Sequence, residues 1–270
     1  MRYFFHISYH GTNYSGWQRH PDGLNVQQIF ESNLSKILKT NIAITGCGRT
    51  DAGVHASQFF FHADIEKQWN FDLLFRLNKL LPDDIAVFDI IPMEGLPHAR
   101  FDAIQRSYDY FIHTYKDPFL GRFSAMYLLK NIDPDKMKQA AALLPKYNDY
   151  RAFCTSPDRN DHTICKVSLA NIAMNDNGDK LHFRISSNRF LSKMVRIIMG
   201  RLLEIGTGKL SVDEFEHYLA DNDKETPAVI APAYPQGLYL SKVTYPYLDI
   251  PARTDFVKML QGNGVPFEVK

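Results

Sequence analysis

The stretch "IAITGCGRTDAGVHASQFFFHADI", residues 42–65, places a glycine-rich loop between two apolar runs. The runs 42–45 and 56–65 are rich in β-branched and aromatic residues, which predicts two strands. The glycines between them permit the positive φ values that tight turns use. The stretch therefore predicts a strand–loop–strand unit. Its loop carries three chemically active side chains, those of Arg49, Asp51 and His55.

Three kinds of loop compete as explanations for Asp51. A dinucleotide-binding loop is disfavoured, because Asp51 stands where the third glycine is required and the chain continues into a strand instead of a helix. A metal site is also disfavoured, because Cys47, Asp51 and His55 are close in sequence but no second set of ligands follows elsewhere. A structural turn fits the residues alone best, since aspartate often hydrogen-bonds its own backbone in turns. A reactive carboxylate is the remaining alternative.

The rest of the chain alternates strands with amphipathic helices. Helical periodicity or capping signals predict helices at 26–38, at 70–81 with Asn70 as N-cap and Pro82 just past the end, after Asp133 and Pro134, at 188–206, after Ser211 in a capping box with Glu214, and at 254–261. Period-two or apolar runs predict strands at 2–9, 85–92, 104–115 and 237–245, and a hairpin within 164–186. This order predicts an α+β fold with mostly antiparallel sheets and helices packed on one face. The predicted domains are 1–102, 103–247 and a tail, 248–270.

Composition narrows the protein class only a little. The formal net charge is +1, which gives no indication of a nucleic-acid-binding surface but does not exclude a local basic one. No apolar run approaches the roughly 18 residues that span a bilayer, and the first residues lack a secretory pattern. The three cysteines are far apart, which argues against a zinc site and a disulfide framework. We therefore expect a cytoplasmic protein without a membrane partner.

Two further segments carry candidate functional side chains. The apolar helix predicted at 188–206 has one polar stripe, formed by Arg189, Lys193, Arg196, Gly200 and Glu204. This stripe is either a solvated face or the place where a buried Arg196 pairs with an anion, for which Asp51 is one candidate. On the strand at 104–115, Tyr108 and Tyr110 share a face with Arg106. These rings either pack across strands or form an aromatic platform for a nucleobase.

Together these segments resemble the TruA-type tRNA pseudouridine synthases over residues 3 to 246. The matching motifs are "YHGTNYSGWQRH", "GCGRTDAGVHASQ", "HARFDAIQRSYDYFI", "NRFLSKMVRIIMGRLLEIGTGK" and "GLYLSKVTYP", in the family's order. The string Gly-Arg-Thr-Asp-Ala-Gly-Val-His is highly specific. The chain departs from the family pattern at Ser192, Lys193 and Ile197, around a retained Arg196.

The resemblance implies isomerisation of uridine to pseudouridine at positions 38, 39 and 40 of the tRNA anticodon stem-loop. It implies no cofactor and no metal, a homodimer, and two similar domains whose sheets join side by side around a central cleft with helices on the outer face. A protein that binds or folds RNA on the same scaffold without catalysis is the alternative.

The family match also assigns roles to individual residues. It makes Asp51 the group that initiates glycosidic cleavage and Arg196 its salt-bridge partner. Arg49 is expected either to be a second cation beside Asp51 or to contact a phosphate or the flipped nucleotide. It makes Tyr108 the ring that stacks on uracil and helps remove the C5 proton. Beyond the family match, Leu238 or Leu240 is expected to wall the pocket. The loop 10–24, which carries Arg19, is either an RNA-contacting or base-flipping element or a structured surface loop.

Overall fold

A computed structural model describes residues 1–66, 68–129, 131–220 and 231–251. Within them the chain packs as two compact units, one running from Met1 to Arg106 and resuming at Tyr239, the other running from Ser107 to Leu238. The domain boundaries given above stay predictions. The helix predicted at 254–261 lies outside the described residues, as does most of the predicted tail.

The first unit is built on a mostly antiparallel sheet. Its strands are β1 (Arg2–Tyr9), β2 (Ile44–Gly46), β3 (His55–Asp64), β4 (Ile85–Met93) and β9 (Leu238–Thr244), whose first residue belongs to the second unit. Its helices are α1 (Val26–Leu38) and α2 (Leu73–Leu80). The strand order is β4-β1-β3-β9, and β2 pairs with β3. Strand β1 is antiparallel to both β3 and β4, whereas β9 runs parallel to β3. The loop that contains Asp51 therefore joins β2 to β3, two neighbouring strands of this sheet.

Aromatic packing holds α1 against this sheet. The helix buries Val26, Phe30, Leu34 and Leu38, which recur every fourth residue and so lie along one face. The ring of Phe30 packs 4.9 Å from that of Phe61 on β3, and Phe61 stacks 4.6 Å from Phe5 on β1. Asn25 caps the helix by accepting a hydrogen bond from the Gln28 amide. The periodicity of the sequence thus fixes the face of α1 that meets the sheet.

The second unit has its own strands and helices. Its strands are β5 (Gln105–His113), whose first two residues belong to the first unit, β6 (Ala125–Met126), β7 (Val167–Met174) and β8 (Lys180–Ser187), and its helices are α3 (Pro134–Leu143), α4 (Met194–Gly206) and α5 (Val212–Ala220). The order is β5-β8-β7. Strands β7 and β8 form the predicted antiparallel hairpin, and β6 runs parallel to β5.

The structure confirms the mixed α and β composition and the mostly antiparallel strands, and it corrects some predicted boundaries. Helix α4 begins at Met194, because Lys193 adopts a left-handed conformation with a φ of 58°. Arg189 and Lys193 therefore lie before the helix, and only the later part of the predicted polar stripe is helical. The N-cap of α2 is Asp72 and not Asn70, because the Asp72 carboxylate accepts a hydrogen bond from the Phe75 amide. Among the described residues, no helix is long and apolar enough to cross a membrane.

Candidate active site

The loop between β2 and β3 is fixed against the segment that follows β1. The Trp17 amide donates to the Thr50 carbonyl at 3.3 Å, and the Gly53 amide donates to the Tyr14 carbonyl at 3.2 Å. Between these two bonds lies Gly16, whose φ is +90° and at which a Cβ would stand 2.3 Å from the Thr50 carbonyl oxygen. Only glycine allows this approach, so residues 14–17 form a tight backbone cradle under Asp51.

Buried side chains and backbone groups of the first unit also hold this loop. The hydroxyls of Tyr9 and Thr50 hydrogen-bond at 2.8 Å in the interior of the unit. Cys47 is fully buried, and its amide donates to the Phe60 carbonyl at 2.7 Å. Burial raises the pKa of the Cys47 thiol to about 11, so the thiol stays protonated near neutral pH. Cys47 therefore supports the loop and is a poor nucleophile.

His55, which the motif left without a role, is completely buried. Its Nδ1 accepts a hydrogen bond from the Gly11 amide at 2.9 Å. Its ring packs 4.2 Å from that of His10 and 4.5 Å from that of Tyr239. His55 thus joins the end of the loop to the segment after β1 and to β9, which is a structural role.

The first unit brings the motif's cation and carboxylate into one loop. Asp51 is half-buried, whereas Arg49 is exposed and donates from Nε to the Gln18 side-chain oxygen at 3.0 Å. Arg19 lies two residues after the segment 14–17 that holds the loop, and it forms an ion pair with Glu31 of α1 at 3.2 Å. The Arg19 side chain is 64% exposed, so this pair contributes little to stability and leaves the guanidinium at the surface.

The second unit holds the predicted aromatic and the second cation. Tyr108 on β5 is half-buried, and its ring meets that of Phe190 edge to face at 5.0 Å. Tyr110 is almost fully buried, as packing requires, and its hydroxyl donates to the Tyr234 carbonyl at 2.7 Å. Burial raises the pKa of Tyr110 well above its usual value. Of the two tyrosines, Tyr108 alone keeps a partly accessible ring.

Arg196 lies on α4 and is half-buried. Its Nε donates to the Ala233 carbonyl at 2.7 Å, and the Ala233 amide donates back to the Arg196 carbonyl at 2.9 Å. This pair of bonds fixes the guanidinium relative to the helix. Leu238, the first residue of β9, is 5% exposed. Nothing in the spacing of the sequence indicates that Ala233 anchors Arg196.

Arg106 is the functional candidate that sequence reasoning assigned only to a strand face. Its guanidinium donates to the Cys47 carbonyl from Nη2 at 2.8 Å and from Nε at 3.3 Å. It also donates to the carbonyls of Arg100 at 2.7 Å and Ala103 at 3.2 Å. One side chain thus ties the start of the Asp51 loop to the turn before β5. An arginine at the start of a predicted strand is the only signal of this role in the sequence.

The described residues contain no group of three histidine, cysteine, aspartate or glutamate side chains placed to hold a metal ion. The expectation that neither a metal nor a cofactor is needed stays a prediction.

Comparison with known proteins identifies the family. A family model described as tRNA pseudouridine synthase matches residues 140–246. The tRNA pseudouridine synthase A of Porphyromonas gingivalis is 39% identical over 249 residues, which cover 91% of this chain and 97% of the relative. The chain belongs to this family. The enzyme of the same name from Parabacteroides distasonis is 40% identical over 252 residues, and that of Exiguobacterium sibiricum is 33% identical over 241 residues. They cover 91% and 89% of this chain and 96% and 95% of the relatives. The resemblance stated from the motifs is therefore confirmed.

Proposed function

We propose that the protein isomerises uridine to pseudouridine at positions 38, 39 and 40 of the tRNA anticodon stem-loop, and that Asp51 initiates the reaction. Membership in the family makes the chain a pseudouridine synthase, an isomerase that acts on tRNA. The observation that best supports the role of Asp51 is the cradle formed by residues 14–17, which fixes the backbone of its loop at Thr50 and Gly53. A turn that served only to reverse the chain would not need this close approach.

The chemistry needs a carboxylate and conserves the atoms of the uracil. The bond from N1 of the base to C1′ of the ribose breaks, the base turns, and a bond forms from C5 to C1′. The proton on C5 leaves and N1 gains one, so the reaction has no net oxidation and consumes no water. Asp51 starts cleavage by attacking C6 of the ring, by attacking C1′, or by taking the C2′ proton. A carboxylate that acts in these ways must be ionised and held in place.

Arg196 is proposed to keep Asp51 ionised. A nearby cation favours the charged form of a carboxylate and lowers its pKa. The half-buried position of Arg196 and its bond to the Ala233 carbonyl suit it to hold a fixed charge in a partly dry environment. Arg49, exposed in the same loop as Asp51, is proposed to contact the target nucleotide or a phosphate. The exposed Arg19 is proposed to contact the RNA backbone.

Tyr108 is proposed to stack on the uracil and to help remove the C5 proton. Its ring is partly accessible, and the edge-to-face contact with Phe190 holds its orientation. The hydroxyl at the edge of the ring can act as a general base, directly or through a water molecule. Leu238 is proposed to wall the uracil pocket. The target uridine must leave its stack before these groups can act on it.

The decisive experiment replaces Asp51 with asparagine. Asp51→Asn should abolish pseudouridine formation in unmodified tRNA and retain tRNA binding, because the amide has nearly the same shape but cannot act as a carboxylate. Asp83→Asn, at an exposed carboxylate in the same unit, is the matched control and should keep full activity. Substantial turnover by Asp51→Asn contradicts the proposal. Mapping the product to positions 38, 39 and 40 tests the proposed specificity.

A purified wild-type protein that binds the anticodon arm but forms no pseudouridine supports the alternative of an RNA-binding or RNA-folding protein. Asp51 argues against this alternative, because binding alone needs no carboxylate near an anionic ligand.

We further propose a homodimer located in the cytoplasm, with the two units arranged as side-by-side domains around a central cleft. Large apolar side chains are exposed along the segment 115–128, at Tyr115, Phe119, Phe123, Met126 and Leu128. Such exposure is typical of association surfaces. Phe119→Glu should therefore lower the mass measured by light scattering from a dimer to a monomer. The three cysteines are all buried thiols, which suits a reducing compartment.

A further inference from the structure

The turn at residues 98–102, just before β5, is fixed by hydrogen bonds within itself. The His98 amide donates to the Asp102 carboxylate at 2.8 Å, and the Asp102 amide donates to the His98 carbonyl at 3.1 Å. The amides of Arg100 and Phe101 both donate to Nδ1 of His98, at 3.1 and 3.2 Å. Four hydrogen bonds among its own residues therefore restrain the backbone of the turn.

Side chains from β3 and from the chain after β9 also bond to this turn. His62 Nδ1 accepts from the Ala99 amide at 3.1 Å, and the buried Tyr245 hydroxyl donates to the Ala99 carbonyl at 2.6 Å. The Tyr247 hydroxyl donates to the Asp102 carboxylate at 3.1 Å. So many hydrogen bonds around a turn whose exposed residues are Arg100 and Phe101 indicate a preorganised surface more than a passive connection.

The tip of this turn presents an aromatic ring and a cation. Phe101 is 74% exposed, and its ring lies 4.3 Å from that of His98. The Arg100 guanidinium lies 5.7 Å from the centre of the Phe101 ring. Single exposed apolar residues are common, so exposure by itself indicates little. A rigid, accessible aromatic face beside an arginine is the combination that binds bases in single-stranded nucleic acids.

The turn is also joined directly to the Asp51 loop. The Arg106 guanidinium donates both to the Arg100 carbonyl and to the Cys47 carbonyl, at 2.7 and 2.8 Å. Both bonds come from Nη2 of Arg106, so a single side chain sets the separation between the turn and the start of the loop. A base held on the turn would have a defined position relative to the loop that presents Asp51.

We propose that Phe101, with Arg100, forms a stacking platform for an RNA base next to the target uridine. The inference rests on the proposed function. When a uridine leaves its stack, its neighbours lose a stacking partner, and an exposed aromatic ring replaces that contact. The Arg100 cation favours the adjacent phosphates. The occupant is an unpaired or splayed nucleotide of the tRNA substrate.

The test measures binding of an unmodified anticodon stem-loop RNA by the full-length protein. Phe101→Leu keeps an apolar side chain but removes the π face, and it should weaken binding by roughly 5- to 100-fold. Phe101→Trp keeps a stacking face and should bind within about threefold of wild type, because stacking tolerates a change of ring. Phe75→Leu is the matched control, because Phe75 is 55% exposed in the same unit with Lys79 5.3 Å over its ring. It should leave binding unchanged.

A second measurement reports stacking directly. Each RNA carries 2-aminopurine at a single position on one side or the other of the target uridine. At one of these positions the fluorescence should be quenched by wild type and by Phe101→Trp, and quenched less by Phe101→Leu. Wild-type binding by Phe101→Leu overturns the platform, and so does equal loss in the leucine and tryptophan variants. A changed oligomeric mass with unchanged RNA affinity also overturns it and assigns the turn to a second copy of the chain. If wild type forms no pseudouridine, the proposed function fails separately, while these binding measurements still decide the platform.

Discussion

Gly16→Ala should reduce turnover far more than Gly95→Ala, a substitution at another glycine with positive φ. Gly16 has a φ of +90°, and a Cβ there would stand 2.3 Å from the Thr50 carbonyl oxygen and 3.1 Å from the Asp51 carbonyl carbon. The residues on either side of it are fixed to the same loop, because the Tyr14 carbonyl and the Trp17 amide bond to Gly53 and Thr50. The added methyl group therefore cannot escape sideways and must push the Asp51 loop away.

The size of the effect follows from this geometry. Contacts of Cβ under 3.0 Å essentially do not occur, so the 2.3 Å approach requires a movement of about 0.7 Å or more. A misplacement of about 1 Å costs on the order of 100-fold in rate. A non-glycine residue in the left-handed region costs about 1–2 kcal/mol of stability, whatever the surroundings. Gly95→Ala separates the two effects, because Gly95 has a φ of +67° but a Cβ there meets nothing within 4 Å.

The assay follows loss of the C5 hydrogen from tritium-labelled uridine in tRNA, together with urea unfolding of each variant. Both variants should lose the stability that a left-handed alanine costs, and Gly16→Ala should lose more because its methyl group displaces the loop. Gly16→Ala alone should lose about 100-fold in kcat. If the Gly16→Ala variant, with its sequence verified, has the same kcat as the Gly95→Ala variant, the cradle does not position Asp51 and the reasoning is wrong.

Three further predictions concern the other unit and the response to pH. Tyr108→Phe should keep tRNA binding and lose turnover, because the ring still stacks while the hydroxyl is absent; equal loss of both, measured by binding and kcat, would make Tyr108 a platform only. Asp109 is fully buried and bonds to His182 at 2.5 Å and to Arg184 at 2.8 Å. Asp109→Ala should therefore lower the free energy of unfolding by about 3 kcal/mol in urea titrations, and a loss of under about 1 kcal/mol would show that the cluster behaves like a surface pair. Burial lowers the pKa of His62 from 6.5 to about 4, so the unfolded chain binds a proton at pH values where the folded chain does not. Stability should then fall as pH drops from 6.5 toward 4, by at most about 3 kcal/mol from this residue, and His62→Gln should flatten that part of the pH profile.

Local signals predicted most of the secondary structure. Periodicity predicts helix α1 at its observed bounds, because apolar residues recur at helical spacing from Val26 to Leu38. The capping box at Ser211 and Glu214 is also observed. The start of α4 was predicted too early, because Leu191 and Met194 fit a helical pattern on both sides of a residue that adopts a left-handed conformation. Periodicity reports which residues are apolar, and it does not report the backbone angle of a single lysine.

The sequence by itself determined the family, the reaction class that the family carries, and the loop that holds Asp51. Each depends on residues close together in the chain, whose order is visible without a structure. Only the tertiary structure decided how that loop is held, through Arg106 and Cys47, which are 59 residues apart, and through His55 and Gly11, which are 44 apart. The physical reason is that a buried polar side chain is satisfied by whichever distant carbonyl or amide the fold brings to it. No pattern in the sequence names that partner before the chain has folded.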